Sequence, residues 1–125
     1  MEFLDDLNSV VDSAVLKLEY YAGKRSGSPE RYRLLAPCCE DRDMLLGLAS
    51  EGCDLISATL GRAPDESQKS CLSHALVCFV IFRWLEILGE ADAASWKADF
   101  EYAFGLLQER SRRFGPLKCR ILRPF

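Results

Sequence analysis

Residues 71–88 read CLSHALVCFVIFRWLEIL, and the fold turns on how this stretch is read. Apolar side chains fall on nearly every face of it, including Val77, Phe79, Val80, Phe82 and Trp84. A helix that is apolar all round belongs inside a bundle, so this one is expected to run through the centre of the fold. Its start is signalled by Asp65 as a cap with Gln68 at the capping-box position three residues on, and its end by Gly89. The most apolar part, 75–82, is shorter than the roughly 20 residues of a bilayer crossing, and Arg83 and Glu86 close it. A buried helix is expected there, not a membrane span.

Three further helices flank this one in sequence. Upstream, acids at Glu40 and Asp41 suit the positive end of a helix dipole, and Gly61 marks the end of that helix. Leu45, Leu48, Ala49, Gly52, Ile56 and Leu60 trace its buried face. Gly52 sacrifices roughly 1 kcal/mol of helix propensity relative to alanine, so a close approach by a neighbouring helix is the expected reason for it. The first helix spans about 3–22, with Phe3, Leu7, Val10, Ala14, Leu18 and Tyr21 recurring three or four residues apart and Gly23 closing the pattern. Downstream, Asp92 caps a helix whose stripe is Trp96, Phe100, Ala103, Leu107 and Phe114, and Gly115 with Pro116 halts it.

Two segments fall outside these helices. Residues 23–39 form a long loop rich in turn-forming residues, in which 31–35 can make a helical turn and Tyr32, Leu34 and Leu35 are the expected anchors. From Leu117 to Ile121 apolar and basic residues alternate with a period of two, the pattern of an extended arm. The expected architecture is therefore all-α: a single-domain bundle of about four principal helices over 1–114, with a long loop after the first helix and an extended basic arm over 115–125.

Composition agrees with one folded domain. A chain of 125 residues, 49% hydrophobic and 28% charged, lies well outside the disordered class. Charge is distributed unevenly. Residues 1–109 hold all 19 acids and ten of the 16 bases, a net of −9, whereas 110–125 hold six bases and no acid. A body and tail of opposite sign suit docking onto another protein, while the acidic body argues against a nucleic-acid binder with a strongly basic face. The acidic start, Met1 to Asp6, lacks the basic and apolar regions of a signal peptide, so export by that route is not expected. Six cysteines in such a chain are read as reduced thiols rather than a disulfide framework.

Candidate chemistry is sparse. Cys71, His74 and Cys78 share a helical face, with Cys53 as a fourth donor, but core cysteines at helical spacing are the commoner arrangement and no metal or cofactor is expected. His74, the sole histidine, is weak support for a cysteine nucleophile. Glu40, Asp41 and Asp43 coincide with a helix start, where carboxylates are favoured without any cation, and the pairs Glu51/Asp54 and Glu86/Glu90 read as solvated faces. None of the phosphate-binding loops, metal-protease helices or nucleophile elbows is present, so no enzymatic activity is expected. The candidate partner-binding residues are basic and apolar: Lys24, Arg25, Arg31 and Arg33 in the loop, then Arg110, Arg112, Arg113, Lys118, Arg120, Ile121, Arg123 and Phe125 in the tail. Insertion of the tail into a neighbouring subunit is favoured over simple helix-dipole complementation and over phosphate binding.

The run from Tyr20 to Arg25, then Tyr32, the segment Glu40-Asp41-Arg42-Asp43-Met44-Leu45 leading to Glu51, and the Trp96 helix entering a basic, proline-containing end resemble a group of small helical proteins of phages and of gut Bacteroidetes prophages, in the style of head-tail connector or head-completion proteins. The resemblance implies a non-enzymatic virion component that assembles as a ring between portal and tail. Its partners would be copies of itself and other phage structural proteins, and its location the bacterial host cytoplasm or the virion. The six cysteines and the Ser26-Gly27-Ser28-Pro29 loop depart from that pattern. The alternative is a cytosolic helical module whose basic tail contacts nucleic acid or an acidic protein; no membrane association is expected.

Overall fold

The computed structural model describes the backbone of residues 2–60 and 69–122, and the side chains of 7–60 and 70–109. The described residues form five α-helices: α1 Glu2–Arg25, α2 Pro29–Leu35, α3 Arg42–Leu60, α4 Lys69–Leu88 and α5 Ala93–Leu122, with a 3₁₀ turn at Cys39–Asp41 ahead of α3. No strand occurs among the described residues. The protein is an all-α, single-domain bundle whose four long helices are α1, α3, α4 and α5.

The apolar stretch 71–88 is the axis of the bundle. Every residue from Ala75 to Phe82 is buried, as are Trp84 and Leu85, and α4 packs against α5, α1 and α3. By length and composition alone Ser70–Leu88 could cross a membrane, with a mean hydropathy of 1.8, but over half of it is covered by the other helices. Side chains such as Ile81 and Leu85 have no exposed surface, and burial of this kind stabilises by about 1.5–3 kcal/mol per residue. Phe79 packs on Phe82 and Phe100 at centroid distances of 5.3 and 5.2 Å, those two rings being 5.8 Å apart, with Phe104 stacked on Phe100 at 5.6 Å. Edge-to-face pairs like the first two add about 0.5–1.5 kcal/mol each beyond the area they bury.

Gly52 has the role its position implies. A Cβ at that point would lie 2.7 Å from Cδ2 of Phe79 and 3.1 Å from Cδ2 of Leu76, so α3 meets α4 at a separation only glycine permits. The rest of the expected α3 face is buried apart from Leu60, which is half-buried. Arg42 ties the start of α3 to α1, pairing with Asp12 at 2.9 Å and donating to Oδ1 of Asn8 at 2.9 Å.

Several boundaries differ from expectation. Helix α1 runs through Gly23 to Arg25 because the glycine with left-handed geometry is Gly27, at φ +69°, four residues later. Within the loop, 29–35 form a full short helix. Ser28 Oγ accepts from the Arg31 amide at 3.2 Å and Pro29 takes the first position, where a missing N–H does no harm. Of its expected anchors only Leu35 is buried; Leu34 and Tyr32 are exposed. Gly89 ends α4 as expected, at φ +76°, its amide reaching the Glu86 carbonyl while that of Glu90 reaches Leu85, the paired bonds of a Schellman stop.

The C-terminal segment is the main correction. Helix α5 does not halt at Gly115 and Pro116 but continues to Leu122, so 115–122 are helical rather than an extended arm. The period-two reading of 117–121 overlooked that Phe114, Leu117 and Ile121 also recur three and four residues apart, extending the stripe of Phe100, Ala103 and Leu107. Arg123 and Phe125 of that arm, and the Asp65 and Gln68 capping signal, lie outside the described residues.

Candidate functional site

Two of the expected loop bases, Arg25 and Arg31, converge on the turn between α4 and α5. That turn offers two acids, Glu90 and Asp92, in the sequence Gly89-Glu90-Ala91-Asp92. Arg31, on α2, donates from one Nη to both carboxylate oxygens of Glu90 at 3.2 and 3.3 Å. Arg25 brings Nε to 3.5 Å from Oδ2 of Asp92, and the Tyr21 hydroxyl donates to the same oxygen at 2.8 Å. Asp92 therefore opens α5 while its carboxylate reaches sideways to α1. Burial, and then the hydrogen bond and charge of Asp92, push the Tyr21 phenol up to about 12. Behind them Nε1 of the buried Trp84 donates to the Leu35 carbonyl at 2.8 Å, pinning the end of α2 to the core.

Two of the four loop bases expected to bind a partner thus have partners inside the chain. Lys24 places Nζ 4.8 Å over the Tyr20 ring, and Arg33 is exposed. The tail bases Arg110, Arg112, Arg113, Lys118 and Arg120, with Ile121, lie along the final turns of α5. Nothing in the sequence revealed that Glu90 and Asp92 would receive the loop, because the pairings span 59 to 71 residues.

Several of the other candidates have structural partners. Asp41 accepts from the Cys38 amide at 2.8 Å, closing the 3₁₀ turn ahead of α3. Glu51 and Glu86 both reach Arg83, one on α3 and one in the next turn of α4. Cys78 is buried and its thiol is pushed up to about 11 by burial and by nearby Asp99, and burial likewise raises Cys53. Thiols in that state stay protonated near neutrality and fill space as small apolar groups. Sγ of Cys78 lies 3.9 Å from Nε2 of His74. Among the described residues no three His, Cys, Asp or Glu side chains are placed to hold a metal ion.

The outer side of α3 is left uncovered. Glu40, Asp43, Met44, Gly47, Glu51, Asp54 and Leu55 are all exposed and recur at three- and four-residue spacing, giving an acidic stripe with apolar Met44 and Leu55 in it. The protein is, by fold, a small helical bundle with an acidic stripe exposed along α3. Comparison with known proteins matches no family model, no curated protein and no solved structure.

Proposed function

We propose that the protein is a non-enzymatic assembly component of the phage or prophage head-tail connector type, acting through contacts between copies of itself and with other virion proteins. One observation carries this reading. Helix α5 has 30 residues against 20 in α4, and its residues from 110 on bear five bases and no acid, while the body is net negative and leaves the acidic α3 stripe exposed. About 20 Å of basic, amphipathic helix is a suitable length to lie on an acidic face of a neighbouring copy. A head-to-tail contact of this kind closes into a ring when its rotation allows.

The test is sedimentation or light scattering of the full chain and of a version ending at Arg113, each at about 50 and 500 mM salt. The assembly reading expects a self-associated full chain, a monomeric truncation and dissociation at high salt. Monomers in every condition would refute self-assembly through the tail. Tail-dependent, salt-sensitive binding of duplex DNA by a monomer would instead favour the module with nucleic acid as its partner.

A further inference from the structure

We propose that the groove between α1 and the first turn of α5 binds a small amphipathic anion, a flat apolar or aromatic body bearing a carboxylate, sulfonate or phosphate head. Leu16 and Tyr20, one turn apart on α1, are 68% and 67% exposed, and half-buried Trp96 faces them from α5. Together with Tyr21 they wall a depression of about 460 Å³, within the range of small-molecule sites. Its walls are apolar, but its rim is cationic, formed by Lys17, Lys24 and Arg25.

Charge on this rim is balanced only at Arg25. Asp92 is the carboxylate that touches it, and its Oδ2 already takes both the Tyr21 hydroxyl and Arg25. Lys17 and Lys24 make no ion pair among the described residues, and Lys24 is held against the Tyr20 ring. Positive charge on a body of net −9 selects an anionic head, and the paired aromatics select a flat body. Such a site is independent of the assembly reading.

The probe is 8-anilinonaphthalene-1-sulfonate titrated into the full chain, with N-phenyl-1-naphthylamine as the same body lacking the sulfonate. One site per chain with a Kd in roughly the tens of micromolar is expected for a ligand of this size. Tyr20→Ser should weaken it about fivefold. The double change Lys17→Gln with Lys24→Gln should weaken it about five- to tenfold and reduce its salt dependence. These side chains are exposed, so the fold is preserved, and Leu55→Ser on α3 should leave binding unchanged. Absence of a site, equal binding of the neutral dye, indifference to both groove variants, or loss through Leu55→Ser would each overturn the proposal.

Discussion

Replacing Gly52 by alanine, beside the same change at Gly47, tests the packing of α3 on α4. Both glycines lie within one helix, where alanine gains about 1 kcal/mol of propensity. At Gly47 a Cβ meets nothing within 4 Å, so that variant should be stabilised by up to about 1 kcal/mol. At Gly52 it meets Phe79 Cδ2 at 2.7 Å, about 1 Å inside the distance at which carbon atoms attract. The ring cannot retreat easily, being 3% exposed and packed against both Phe82 and Phe100. Overpacking of this kind costs about 1–3 kcal/mol, leaving a net loss of about 0–2 kcal/mol after the propensity gain. In urea melts with a slope of about 1–3 kcal/mol/M the two variants should separate by roughly 0.5–1 M, Gly47→Ala above wild type and Gly52→Ala at or below it. Introducing Gly52→Ala into a Phe79→Leu background should relieve the clash, with a coupling of about 1–2 kcal/mol in the double-mutant cycle. Equal stabilisation by both alanines, or no coupling to Phe79, would refute the close approach.

Three further outcomes are expected. The Tyr21 phenol titrates higher in the folded state than the ordinary tyrosine value of 10.0, so the stability it contributes is complete below pH 10 and is lost as pH rises toward 12; the advantage of wild type over Tyr21→Phe should shrink between pH 9 and 11.5 in denaturant melts, and a constant gap would contradict the bond to Asp92. Trp84→Phe leaves the Leu35 carbonyl unpaired beside a small cavity, a loss of about 2–4 kcal/mol accompanied by faster tryptic cleavage at Arg31 or Arg33. Peptide mapping after brief alkylation of native protein should find exposed Cys38 and Cys39 labelled well before Cys78, and comparable rates would show that α4 is not the buried centre.

The bundle was legible because its signals are local and periodic. Continuous apolarity marked α4, three- and four-residue spacing marked the inner faces of α1, α3 and α5, and Gly52 announced a close crossing. Punctuation is the misleading signal: Gly23 and the Gly115-Pro116 pair look like stops, yet a glycine can sit in a helix at modest cost, and a proline, though it removes a bond and crowds the carbonyl four residues back, can bend a helix without ending it. The loop-to-turn contacts and the groove at Trp96 were invisible because each joins α1 or α2 to the α4–α5 region. One-dimensional spacing has no term for such distant partners, and charge alone sent Arg25 and Arg31 outward when Glu90 and Asp92 were available within the chain.

The clasp of Tyr21, Arg31 and Leu35 on Asp92, Glu90 and Trp84 bears on the order in which the chain folds. Its contacts bridge 71, 59 and 49 residues, whereas α4 and α5 are joined by a turn of four. Closing the short hairpin sacrifices little chain entropy, so that pair is the natural nucleus, and the clasp can form only once the hairpin presents its turn. Substitutions in the clasp should then quicken unfolding while leaving the refolding rate nearly untouched, and the segment around α2 should be the first to open in the native protein.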